Sequence, residues 1–357
     1  MGEPSLGETT HLQLISVRDS GVTADEWDAF VLRRDESSFC HLYGWSAVME
    51  KALGHECVYL AAADATGELC AVLPLVRVRS ALFGHYLVSM PFLNYGGPVG
   101  VPEACRFLSA EAASLAERSG ADLLELRTRF DVGASSLTTN TRKVTVLLDL
   151  PGDSERLWKE GIPAKVRSQV RRPQKEGMVT RFGADQLDAF YRVFTRNMRD
   201  LGTPVLARSF FERIADALPE QVEFGVVLLG DTPVAAGCGF LWKGELEMTW
   251  ASSLREHNRS APNMLLYWSF MERAIERGAS VFNFGRCTPE GGTHRFKRQW
   301  GATRDVPLPW AQWSRRGLTA TPNPDGGSLL RLATRAWSRL PLPVANALGP
   351  RLSRALP

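Results

Sequence analysis

The residues best placed to do chemistry lie close together, in FNFGRCTPEGGTHRFKRQWG (282–301). Lys297 stands between Phe296 and Trp300, so its ammonium has apolar walls that can desolvate it. A cation in such surroundings suits an oxyanion that develops during attack on a carbonyl. The plainer alternative is a surface lysine in a basic turn with Arg295 and Arg298. Arg286 follows Gly285 at a strand end, where the backbone can turn sharply. Its fork can grip a carboxylate or phosphate, or brace loop carbonyls. Thr293 and Arg295, in the same loop, are counted with Arg286 as substrate-binding candidates. His294, Glu245, Glu247 and Glu256 are the candidate bases, although a lone loop histidine is more often solvated.

Further candidates lie upstream. Asn94 and Tyr95 precede Gly96 and Gly97 after an apolar strand, and paired glycines let backbone approach a ligand. Trp45 opens an apolar helix face and is included with the binding residues. Lys165, Arg167, Arg171, Arg172 and Lys175 fall within eleven residues that contain no acid. Arg167, Arg171 and Lys175 would share a helix face suited to phosphates, unless Pro173 breaks the helix first.

The elements that carry these residues read twice along the chain. In the first half a strand at 12–17 leads to a helix opened by a Thr23/Glu26 capping box, with Trp27, Phe30 and Val31 on one face. A second helix, a hairpin at 57–78, a strand near 86–90, a helix at 102–118 and strands at 123–126 and 144–150 follow. The second half repeats the order from 178. Leu187, Phe190, Tyr191, Phe194 and Met198 form a helix stripe, Ser209 is expected to cap the next helix, and Pro262 starts the long one. The offset between landmarks is about 160 residues. This β-α-α-β-β-β-α-β-β order is that of the GNAT acyltransferase fold. The expected fold is α/β (α+β): two tandem GNAT-type domains, each a mixed, mostly antiparallel sheet flanked by helices. They occupy residues 1–150 and 151–317, and a basic extension covers 318–357.

Composition is compatible with two cores. The 357 residues are 44% hydrophobic, with ten Trp and seventeen Phe, and the net charge is +3. Six scattered cysteines include no CxxC pair, so zinc and redox readings have little support and no cofactor is expected. No signal peptide or run of about 20 apolar residues is visible, which points to the cytoplasm. The extension has five arginines, at 331, 335, 339, 351 and 354, against one acid, Asp325. Arginines and apolar residues alternate there at helical spacing. Such a helix either lies on an anionic membrane, as a peripheral contact, or docks on the second domain.

Residues 282–301 resemble the FemAB signature, in which an F-D-F-G-R-like turn is followed by F-K-x-x-W/F-G. The stretches FCHLYGWSAVMEKALGH (39–55), LPLVRVRSALFG (73–84), SMPFLNYGGPVG (89–100) and KVRSQVRRPQKEGM (165–178) agree. Together they resemble the FemAB-related proteins of PEP-CTERM/exosortase loci. The resemblance implies transfer of an amino acid from aminoacyl-tRNA to an amine of a small-molecule or peptide acceptor. It implies that Lys297 stabilises the intermediate and that the Asn94/Tyr95 loop contributes to the acceptor groove. Asn283 stands where the family commonly has an acid, and the coiled-coil arm of some members is absent. The phosphate-cradling loop of CoA-dependent relatives would fall at EHNRSAPN (256–263), which has no glycine and carries Pro262. A CoA- or carrier-protein-dependent N-acyltransferase is the second reading, and a non-catalytic envelope-synthesis scaffold the third. The first half lacks the two motifs, so a single active site near the second half is expected.

Overall fold

The computed structural model describes residues 12–18, 21–80, 84–315 and 328–355. Residues 1–11, and the first ten residues of the expected extension with its Asp325 (318–327), lie outside these.

The first half runs β1 (Gln13–Ser16), α1 (Ala24–Leu32), α2 (Trp45–Leu53), β2 (Glu56–Ala63), β3 (Leu69–Ser80), β4 (Gly84–Ser89), a two-residue β5 (Val99–Gly100), α3 (Pro102–Arg118), β6 (Leu123–Leu126) and β7 (Thr138–Asp149). A single turn, α4 (Ser154–Arg156), and α5 (Ala164–Lys175) connect to the second half. That half runs β8 (Met178–Phe182), α6 (Leu187–Leu201), α7 (Arg208–Ala217), β9 (Val222–Leu229), β10 (Thr232–Trp242), β11 (Glu245–Ser253), α8 (Pro262–Glu276), β12 (Val281–Cys287), α9 (Gly292–Arg298) and β13 (Arg304–Ser314). Two helices, α10 (Ser328–Trp337) and α11 (Leu342–Ser353), end the chain.

Apart from the two-residue β5 in the first half and α9 in the second, the order of elements recurs. Local chemistry accounts for much of it. The Thr23 hydroxyl accepts from Glu26 N at 3.2 Å while the Glu26 carboxylate accepts from Thr23 N at 2.8 Å, and Trp27, Phe30 and Val31 are buried. Two local expectations shift. Arg208 begins α7 and bridges Asp188 and Glu212, so Ser209 falls inside the first turn and does not cap it. The α5 helix also continues through Pro173 to Lys175.

The strands do not form two separate sheets. They make one sheet in the order β1-β2-β3-β4-β6-β13-β7-β12-β11-β10-β9-β8. Only β4·β6 and β11·β12 are parallel neighbours on this path. The last strand of each repeat has crossed over: β13 pairs with β6 of the first half, and β7 pairs with β12 of the second. The halves therefore share backbone hydrogen bonds at the centre. They also share a core, in which Phe39 stacks on Phe240 and Trp45 packs at a tilt against Phe210 and Phe240. Residue 150 thus separates the repeats in sequence but does not separate two independent cores.

The basic extension docks on the end of α6. Arg199 Nη1 donates to Leu340 O at 3.0 Å, and a Cβ on Gly202 would lie 2.3 Å from Thr334 Cγ2. Leu332, Val344 and Leu348 remain exposed on its outer side. No described helix is long and apolar enough to cross a membrane.

Candidate active site

The site forms where β11 and β12 part. These strands pair over three residues, Glu245–Glu247 against Val281–Asn283, and then diverge. Each carries an irregularity at the fork. Cys238 of β10 faces Trp250 and Gly239 faces Met248, which leaves Thr249 as an extra residue on β11. On β12, Asn283 faces Leu147 and Arg286 faces Thr145, and Gly285 takes φ +73°. Bulges of this kind re-aim side chains beside functional sites, and the positive φ suits glycine.

Residues 90–97 of the first half reach into the fork. Met90 and Phe92 adopt positive φ of 56° and 69°, an unusual conformation for such side chains. The buried Arg127 holds this segment by donating to Met90 O at 3.2 Å and Leu93 O at 2.9 Å. Gly97 must be small, since a Cβ there would meet Thr128 Cγ2 at 2.4 Å. Asn94 and Tyr95 are thereby fixed against the second half. Asn94 Nδ2 donates to Glu247 Oε1 at 2.7 Å, and Tyr95 Oη accepts from Asn283 Nδ2 at 2.9 Å.

Glu247 is the central acid. It is 1% exposed. Besides Asn94, Thr249 Oγ1 donates to it at 3.1 Å and Asn283 Nδ2 lies at 3.4 Å. Burial and the neighbouring Glu245 carboxylate raise its pKa to about 7, against the opposing pull of Asn94, Arg129 and Thr249. Glu245, two residues away on the same strand face, is bound by Arg129 Nη2 at 2.9 Å and by Asn283 Nδ2 at 2.7 Å. Arg129 stacks on Tyr95 with 4.6 Å to the ring centroid. Glu245 and Glu247 line a cavity of about 340 Å³ between the halves, with residues 35–39, Arg129, Phe240 and Trp242 among its walls.

Lys297 approaches Gly285 from α9. It is 3% exposed, and Nζ donates to Gly285 O at 2.6 Å and Arg286 O at 3.0 Å. An ammonium has three N–H donors, so one remains for a substrate atom. Burial lowers its pKa to about 8. A Cβ on Gly285 would stand 3.4 Å from Asn94 Nδ2 and 4.0 Å from Lys297 Nζ, so this glycine is the meeting point of the two sides. A carboxylate that titrates near neutrality can take a proton from an amine, and the ammonium can stabilise negative charge on a carbonyl oxygen.

Other candidates lie elsewhere. Trp45 has no exposed surface, and its indole N–H donates to Phe39 O at 2.9 Å, so it packs the shared core. Thr293 and Arg295 are exposed on α9, and Arg295 Nη1 donates to Glu290 O at 2.7 Å. Arg167 Nη1 donates to Trp158 O, Lys159 O and Ile162 O, which holds the turn before α5. Lys165 and Arg171 are exposed on α5, and Arg171 stacks over Trp158. His294 is tied to Asp305 at 2.8 Å, and Glu256 pairs with Arg196 on the surface. Sequence reasoning did not separate Glu247 from the other acids, and it missed Arg129 and the linking role of Asn283. Glu247 did leave a trace: GELEMTW places two acids on one face of an otherwise apolar strand.

Residues 164–298 match the family model of an acetyltransferase (GNAT) domain. No curated protein matches the sequence. Among solved structures, FemX superposes with a TM-score of 0.62 at 15% identity, covering 85% of this chain and 97% of FemX. L-PGS from Bacillus licheniformis gives 0.55 at 13% identity, covering 89% and 98%. A tandem GNAT protein from the clavulanic acid biosynthesis pathway gives 0.53 at 12% identity, covering 87% and 100%. The fold is therefore the tandem GNAT fold that FemX also has.

Proposed function

We propose that this protein is an amide-forming acyltransferase that moves an aminoacyl group from aminoacyl-tRNA to an amine of a cell-envelope or secondary-metabolite acceptor in the cytoplasm. One observation carries the reading: at Gly285, where β11 and β12 part, the buried ammonium of Lys297 meets the Asn94 amide, which donates to a buried carboxyl, Glu247, that titrates near neutrality.

In the proposed reaction the acceptor amine loses a proton to Glu247 and its nitrogen attacks the ester carbonyl carbon. Negative charge gathers on the carbonyl oxygen, where the free N–H of Lys297 stabilises it. The intermediate collapses with cleavage of the ester C–O bond, and the leaving oxygen takes the proton that Glu247 accepted. Asn94 and Thr249 orient the Glu247 carboxylate, and Arg129 pairs with Glu245 beside it. The site lies between the halves, so the acceptor would occupy the cavity there.

Two features favour an aminoacyl-tRNA donor over a CoA ester. The segment before α8 is a short 3-10 helix, Arg255–Ser260, followed by Ala261 at φ +55° and by Pro262, which has no N–H. It does not present the series of free N–H groups that cradles a pyrophosphate. The exposed Lys165, Arg171 and Lys175 of α5 offer charge to a phosphate backbone. The outer side of the docked extension, where Leu332 is exposed near Arg331 and Arg335, supports a peripheral membrane contact. A donor comparison tests the reading. The protein is given an amine-rich envelope extract with either a mixed aminoacyl-tRNA pool or acetyl-CoA, and new amides are detected by mass spectrometry. Amides are expected only with the tRNA pool; their appearance only with acetyl-CoA would replace this donor with the second one.

A further inference from the structure

We propose that Arg286 is the docking point for an oxyanion, a carboxylate or phosphate, carried by one of the two substrates of this site. The proposal deepens the transfer reading and rests on it for the identity of the molecule that bears the anion.

Arg286 immediately follows the Gly285 bulge, where β12 has left β11. Its guanidinium lies over the Trp310 ring, 4.6 Å from the centroid, and the residue is partly exposed. Among the described residues its guanidinium has no hydrogen-bond partner and no carboxylate at ion-pair distance. A part-buried arginine that serves structure usually spends its donors, as Arg127 does here. Arg127 lies 5.0 Å from the centroid of the same ring. It uses Nε on Glu125 at 2.8 Å and Nη1 on two backbone carbonyls. The other Glu125 oxygen accepts from Gln312 Nε2 at 2.9 Å. The two guanidinium groups on this ring therefore have one directly paired carboxylate between them.

Burial, and then the charge of Arg127, lower the Arg286 pKa to about 10, against the opposing pull of the Glu125 and Glu247 carboxylates, neither of which pairs with it directly. Lys297, held by the carbonyl of Arg286 itself, adds a third cation close by. The indole N–H of Trp310 is buried and also lacks an acceptor among the described residues. An unpaired buried donor such as the Trp310 N–H costs free energy that an incoming acceptor would recover. A flat guanidinium anchored on an aromatic face retains its fork for bidentate contact with a carboxylate or phosphate. An anion seated here would fix its carrier beside Gly285, Lys297 and Glu247, and would set which donors or acceptors are accepted.

Direct binding, with no transfer reaction, tests this. The full chain is titrated calorimetrically at low salt with inorganic pyrophosphate, for a phosphate carrier, and with N-acetylglycine, for a carboxylate carrier. One probe is expected to bind wild type at least about tenfold more tightly than Arg286→Gln. Arg286→Lys, which keeps a cation over Trp310, should retain the fold and bind with intermediate affinity. Arg298→Gln should bind like wild type. The stronger probe identifies the class of carrier. The proposal is overturned if neither probe binds wild type, or if wild type and Arg286→Gln bind equally. Because no transfer is measured, a correct anion site survives even if the aminoacyl donor proves to be something else.

Discussion

Replacing Glu247 by Gln should stop transfer and stabilise the fold at the same time. Gln keeps an acceptor oxygen for Asn94 and Thr249 but cannot carry charge or take a proton. Glu247 titrates near 7 in the folded chain against an ordinary value of 4.5. The folded state therefore holds this proton more tightly than the unfolded state does. No penalty exists well below pH 4.5; it grows between 4.5 and 7 and is complete above 7, where ionised Glu247 destabilises the fold. At about 1.4 kcal/mol per tenfold change in proton affinity, the full penalty is roughly 3 kcal/mol. For a chain of this length that corresponds to about 4 °C in Tm. Thermal melts of wild type and Glu247→Gln at pH 8.5 and pH 5 measure it. The variant should melt higher at pH 8.5, and most of that gain should vanish at pH 5. A variant that melts lower at pH 8.5, or a gain independent of pH, would show that the buried carboxyl is not held near neutrality and would refute the reasoning.

Three more outcomes follow from the same geometry. The rate of transfer should be bell-shaped in pH, rising as Glu247 ionises near 7 and falling as Lys297 loses its proton above about 8; a profile flat from pH 6 to 9 would remove both groups from the chemistry. Lys297→Met should lower the transfer rate by about two to three orders of magnitude with little change in substrate affinity, whereas Arg298→Met, one position away, should cost little; equal small losses would return Lys297 to bracing the carbonyls of Gly285 and Arg286. Calorimetry with acetyl-CoA should show weak binding, since Pro262 and the 3-10 helix replace a glycine cradle, and sub-micromolar affinity would overturn the donor preference.

What could be read from the sequence was local, and what could not depended on distant partners. The capping box at Thr23, the stripe on α6 and the hairpin turns are decided within a few residues, so the repeated order was legible. The crossing of β7 and β13 was not, because a strand's alternation sets its two faces and not its neighbours. Lys297 and Arg286 stood out through their motif, but the carbonyls that anchor Lys297 appear only once Gly285 bends β12. Glu247 looked like any acid in a strand. Its displaced titration arises from burial, which needs residues 90–97 of the other half, held by Arg127, to close over the fork, and from the neighbouring Glu245 carboxylate. Trp45 was counted with the binding residues although it opens an apolar helix face; the fold gives its indole to the shared core.

The most direct test of the account uses the difference between an ester and an amide. Radiolabelled aminoacyl-tRNA is mixed with the protein and an amine acceptor pool, the reaction is made alkaline, and surviving acyl label is counted. The tRNA ester is hydrolysed and an amide is not. Wild type should give alkali-stable label on an acceptor, and both Glu247→Gln and Lys297→Met should lose nearly all of it. Label that stays wholly alkali-labile with wild type, or stable label formed equally by Glu247→Gln, would contradict the claim that Glu247 and Lys297 form one centre for amide formation.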